Sequence, residues 1–97
     1  MVTYIVLANF TDQGAKAIRE TTKRADAVKE LGRQLGVNMK SIHWTQGAFD
    51  LVTYCESEDD ASMAAFGAAI RASGNVQFQA LRAFDKEEMN GILAKLG

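Results

Sequence analysis

Near the middle of this 97-residue chain, Trp44-Thr45-Gln46-Gly47-Ala48-Phe49-Asp50-Leu51-Val52 sets a glycine between two apolar, β-prone runs. Runs of that kind separated by two residues form an antiparallel hairpin, and a glycine at the first turn position suits a type II′ turn, which requires positive φ. The pattern predicts strands over 37–46 and 49–56 joined at Gly47-Ala48. Antiparallel partners pair outward from such a turn, so Trp44 faces Leu51 and His43 faces Val52. Ile42, Trp44, Phe49, Leu51 and Cys55 then share one side. Ser41, His43, Thr45, Asp50, Val52 and Tyr54 share the other.

The rest of the chain supplies elements on both sides of this hairpin. Residues 2–9 read as a first strand, with Thr11-Asp12 as an N-cap for a short helical turn over 12–19. A longer helix over 23–35 carries Ala25, Val28, Leu31 and Leu35 on one stripe and stops at Gly36. Ser57, with Asp60 three positions on, predicts the start of a helix that Gly74 ends, with Met63, Phe66 and Ile70 as its core stripe. Its surplus of alanines leaves a smooth surface, although alanine is also the best helix former. Residues 75–84 form a fourth strand. Asp85 and Glu88 then open a terminal helix with Met89, Ile92, Leu93 and Leu96 on one face.

This β-α-β-β-α-β order, with an extra C-terminal helix, is the ferredoxin-like arrangement within the α+β class, an antiparallel sheet with helices on one face. A chain of this length makes one domain, 1–97, and its 47% hydrophobic and 24% charged residues belong to an ordinary globular protein. Trp44 is expected in the helix-covered core. The other face cannot be purely solvated, because Tyr4 and Val6 point one way along the first strand while Ile5 and Leu7, equally apolar, point the other. A sheet with two apolar faces and helices for one needs a partner for the second, which predicts a homo-oligomer.

Composition narrows the function classes. The formal net charge is −1, divided as +3 over residues 1–48 and −4 over 49–97, so neither nucleic acid nor an anionic membrane is attracted overall. The basic residues Lys16, Arg19, Lys23, Arg24, Lys29, Arg33 and Lys40 are interspersed with acids, as on a solvated helix. The single histidine and single cysteine do not furnish a usual zinc site, and Asp59-Asp60 at a helix start answers the helix dipole, so no metal is expected. The glycines match no phosphate-binding spacing, and no cofactor is implied. Cys55, inside an apolar strand, reads as a small buried hydrophobe. No apolar run approaches the roughly 20 residues needed to cross a bilayer, and no signal-peptide pattern opens the chain, so a cytoplasmic location is expected.

Three segments together resemble a known family: the run from Thr3 to Gly14, the central Trp44-Thr45-Gln46-Gly47-Ala48-Phe49-Asp50, and Leu81-Arg82-Ala83-Phe84 with Glu88-Met89. They are similar to the GYD-domain proteins, small prokaryotic proteins named for a Gly-x-Tyr-Asp segment, and the resemblance covers essentially the whole chain. Phe49 stands where the signature has tyrosine, so no phenol hydroxyl is available there. The resemblance implies a ferredoxin-like fold related to dimeric α+β-barrel proteins. It carries over no catalytic residues, because the family's biochemical role is not established.

Two functional readings follow. In the first, the chain is an oligomeric protein that binds a small ligand or a protein partner through the open sheet face at a subunit interface, and Gly47, Phe49 and Asp50 form a structural turn. In the second, it is a cofactor-free enzyme of the dimeric α+β-barrel type. His43, Asp50 and Tyr54, on one predicted face, would then move protons on a small aromatic or polyketide-like substrate.

Overall fold

A computed structural model describes residues Met1–Gly97. It contains β1 (Val2–Phe10), α1 (Asp12–Lys16), a 3-10 turn (Ile18–Glu20), α2 (Thr21–Leu35), β2 (Val37–Trp44), β3 (Leu51–Ser57), α3 (Asp60–Ser73), β4 (Val76–Ala83) and α4 (Lys86–Ala94). The strands form one antiparallel sheet in the order β2-β3-β1-β4, so the first and third strands are central, as the ferredoxin-like expectation requires. Helices α2 and α3 lie on one face.

The local signals explain the boundaries. Thr11 caps α1 by accepting the Gly14 N–H, and α2 ends where Gly36 adopts φ +86, a left-handed backbone that costs glycine little. Asp85 and Glu88 close the capping box at the start of α4. The helix expected from residue 23 starts earlier, at Thr21, because the 3-10 turn feeds straight into it.

Ser57 does not open α3. It is fully buried and still paired with both Val2 and Val37, and its hydroxyl donates to the Asp59 carbonyl at 2.7 Å. The cap is Asp59, whose carboxylate accepts the Ser62 N–H at 2.7 Å. That bond to the Ser62 backbone holds the Asp59 carboxyl below its ordinary pKa.

The core joins Val6, Val37, Met39, Cys55, Met63 and Phe66, with Val28, Leu31 and Leu35 of α2 packed against it. The strict alternation expected along β2 fails at one point. A bulge between Met39 and Ser41 lets Val37 and Met39 share the helix-covered side with Ile42 and Trp44, since an extra residue reverses the parity of the pleat. Trp44 pairs with Leu51 and lies on that side as expected, but it is not a core residue. It stands at the sheet edge, 42% exposed, with its indole N–H donating to Thr21 Oγ1 at 3.0 Å.

Only 12 of the 97 residues are buried. The accessible surface is 6413 Å², against about 5,500 Å² for a monomer of this mass from the usual surface-to-mass scaling. The radius of gyration is 14.6 Å, where about 12.5 Å is ordinary for this length. The excess comes from two features. One sheet face carries no helix, and α4 makes no extensive contact with any other element, though a 3.7 Å pair between Arg82 and Glu88 ties it to β4.

Candidate functional site

The open face is built by the residues whose side chains alternate away from the core. Across the sheet, His43, Val52, Leu7 and Gln79 make one row. Ser41, Tyr54, Ile5 and Leu81 make the next. Ile5, Leu7 and Val52 are half-buried only by each other and their neighbours, while Tyr54 and Leu81 are exposed. The band is apolar in its middle and polar at its margins, where Lys40 pairs with Glu56 at 3.5 Å and Gln77 and Gln79 line the β4 edge. A contiguous apolar patch with a polar rim is the usual form of a protein-binding surface.

Helix α4 extends this apolar surface in sequence. Of the stripe expected here, Met89, Leu93 and Leu96 are exposed, Leu93 by 49% and Leu96 by 81%, while Ile92 is half-buried. An amphipathic helix gains most of its stability by burying that stripe.

The three residues considered for proton transfer are placed differently from one another. His43 and Tyr54 do share the open face, on adjacent strands and offset by two residues, a diagonal relation that spans about 7–8 Å. Both are exposed. Asp50 sits at the end of the sheet, and its carboxylate accepts the Phe10 N–H at 2.9 Å. Its own N–H donates to the Ala8 carbonyl at 2.9 Å and to Asn9 Oδ1 at 3.1 Å. Asp50 therefore clasps the hairpin tip to the last residues of β1, and no hydrogen bond joins it to His43 or Tyr54.

That clasp also changes the turn. A two-residue type II′ turn at Gly47-Ala48 does not form. Thr45 closes a wider loop, its N–H donating to the Asp50 carbonyl at 2.8 Å and its hydroxyl to the Phe49 carbonyl at 2.5 Å. Pairing stops at Trp44 and Leu51 because β1 recruits Asp50. Phe49 is accordingly half-buried in the loop rather than a strand residue of the core. Gly47 does adopt positive φ, +129, with open space on its side-chain side, so backbone conformation and not packing is what asks for glycine there.

On the opposite side of the sheet, between it and the helices, lies a cavity of about 100 Å³. Arg24, expected on a solvated basic face, lines it instead. The hint in the sequence was its spacing, since Thr21, Arg24, Ala25 and Val28 follow the helical period of the core stripe. Cys55 is buried as expected, and burial pushes its thiol up to about 11. No three His, Cys, Asp or Glu side chains cluster as metal ligands do, and no helix is long and apolar enough to cross a membrane.

Comparison with known proteins finds relatives along nearly the whole of the chain. A Thermus thermophilus protein named glutamine synthetase and cystathionine beta-lyase binding protein is 33% identical to the chain over 84 residues, which are 86% of this chain and 88% of that protein. The family model of the GYD domain matches residues 4–93, from within β1 to near the end of α4. With a match that takes in the Gly47–Asp50 clasp and nearly every element of the fold, the chain belongs to the GYD-domain family.

Proposed function

We propose that this protein is an oligomeric partner-binding protein, which associates with itself and with a metabolic enzyme through the open sheet face and α4. The observation that carries the reading is the uncovered apolar surface formed by Ile5, Leu7, Val52, Tyr54 and Leu81 on the sheet, Met89 and Leu93 on α4 and Leu96 just beyond it. The surplus over the surface of an ordinary monomer is about 900 Å². That is close to the roughly 800 Å² that each partner contributes to a standard interface. Two copies meeting on their open faces would bury it, with the α4 arms flanking the joined faces and completing a surface for a further protein.

The relative's name supports the class of partner. Glutamine synthetase and cystathionine beta-lyase both handle amino acids, and enzymes of those two kinds from this protein's own host are the partners to test. A non-catalytic role agrees with Asp50 being held by β1 rather than by His43. Sedimentation velocity of the chain alone at micromolar concentration should show no dominant 10.6 kDa species. Mixed with either enzyme, it should co-sediment with the larger protein. A stable 10.6 kDa monomer that migrates apart from both enzymes would refute the proposal.

A further inference from the structure

We infer that the cavity between the helices and the sheet is a binding site for a small monocarboxylate with a compact apolar body, its carboxylate held by Arg24. The site lies on the opposite side of the sheet from the partner-binding surface and stands independently of it. Protein interiors rarely leave room for more than a water molecule, and here about 100 Å³ stays open between α2, α3 and all four strands. Most of the wall is hydrocarbon or aromatic, including Val28, Met39, Met63, Phe66, Ile70 and Phe78. The Thr53 hydroxyl is spent on the Ser41 carbonyl at 2.5 Å. Water has few partners over such a wall, whereas hydrocarbon cavities of comparable size, about 150 Å³, stay dry and take up a benzene ring.

The polar part of the wall is gathered at one end. Arg24 donates to the Ala17 carbonyl at 2.6 Å and to the Gly14 carbonyl at 3.3 Å. Gly14 in turn lies so close to Asn75 that a methyl group on it would stand 2.0 Å from the Asn75 carbonyl oxygen. Arg24 and Asn75, both lining residues, thus each lie against Gly14 of α1. Arg24 is the one charged residue on the wall, and none of the four ion pairs of the chain includes it.

Two of its five N–H groups serve those carbonyls, which leaves donors in the planar fork that matches a carboxylate. The Asn75 side-chain oxygen accepts from Gln13 Nε2 at 3.0 Å, so its amide hydrogens remain for a ligand as well. A half-buried, unpaired guanidinium at the end of an apolar cavity selects an anion attached to a hydrocarbon body. The volume limits that body to a single ring or a short branched chain.

The only tryptophan of the chain is a built-in reporter, since its indole bonds to Thr21, which also lines the cavity. The test is a titration of Trp44 fluorescence, cross-checked by calorimetry, with phenylacetate and 4-methylpentanoate as carboxylates, phenylacetamide as the neutral analogue and phenethylammonium as the cation. The carboxylates should bind saturably and at least about tenfold more tightly than the amide, the scale of a charge-assisted pair over a neutral one. The cation should not bind. Arg24→Gln should erase the preference for carboxylate over amide, and Ala25→Leu, which fills the cavity from α2, should abolish binding of every probe. The inference is overturned by no saturable binding of either carboxylate up to about 10 mM, a limit beyond which affinity is negligible. Equal affinity for amide and carboxylate, or undiminished affinity in Ala25→Leu, also overturns it. Should Arg24→Gln fail to fold, the probe series on the unmodified protein and Ala25→Leu still decide.

Discussion

Replacing Asp50 with alanine should weaken the fold through a single backbone group. The Asp50 carboxylate accepts the Phe10 N–H at 2.9 Å in a half-buried position at the end of β1. Alanine leaves that N–H without a partner, at a cost of about 1–3 kcal/mol for a buried donor. The half-buried setting admits some water, which brings the expected loss to about 2 kcal/mol. For a domain of this size that corresponds to roughly 8–16 °C in Tm. Asp50→Asn keeps an acceptor oxygen in place and gives up only the charge, so it should lose no more than about 1 kcal/mol. Urea unfolding followed by Trp44 fluorescence, at one fixed protein concentration because association adds to apparent stability, measures both variants. A loss below about 0.5 kcal/mol for Asp50→Ala, or equal losses for the two, would show that the clasp does not hold the hairpin tip to β1.

Gly14→Ala should be among the most damaging small changes, because its methyl would fall 2.0 Å from the Asn75 carbonyl oxygen; backbone must move, and a loss of about 1–3 kcal/mol is expected by calorimetry. Trp44→Ala should cost only about 1–2 kcal/mol in urea unfolding, since the indole is 42% exposed and gives up one hydrogen bond, where a fully buried large side chain would cost about 3–5. Cys55 should resist thiol reagents at pH 8 in the folded protein, with its thiol raised to about 11 by burial. The unfolded chain ionises that thiol first, so stability should be unaffected below about pH 8.5, decline as pH rises above it, and be lower by about 3 kcal/mol once the folded pKa is passed. Cys55→Ala should flatten that alkaline limb.

The strands and the two faces were readable because period-two alternation survives in β1 and β3, while the sheet order followed from the ferredoxin-like pattern of elements. Ile5 and Leu7 stand opposite Val6 and Ala8, and Leu51 and Cys55 opposite Val52 and Tyr54. The helix stops were readable for the same local reason, a glycine able to take a left-handed backbone. What escaped were features decided by distant partners. The bulge at Lys40 reverses parity only because β3 holds both halves of β2. The turn opens because Phe10, forty residues from Asp50, offers an N–H. Ser57 looks like a cap in a short window, yet two neighbouring strands keep it in the sheet. Arg24 carries the same charge as its solvated neighbours, and only the carbonyls of Gly14 and Ala17 draw it inward. Of the candidate site, the open apolar face was legible, and the uncoupling of Asp50 from His43 was not.

The partner-binding account is tested most directly by the affinity for the host's glutamine synthetase or cystathionine beta-lyase of two variants that place the same charge on opposite faces. Leu81→Arg puts a cation on the open sheet face, and Ala68→Arg puts one on the exposed outer side of α3. With the enzyme immobilised and each variant checked for an unchanged circular dichroism spectrum, Leu81→Arg should bind at least about a hundredfold more weakly than the unmodified protein, the loss expected when a charge is buried in an apolar interface. Ala68→Arg should bind as the unmodified protein does. Undiminished binding by Leu81→Arg together with loss in Ala68→Arg would move the interface to the helices and contradict the account.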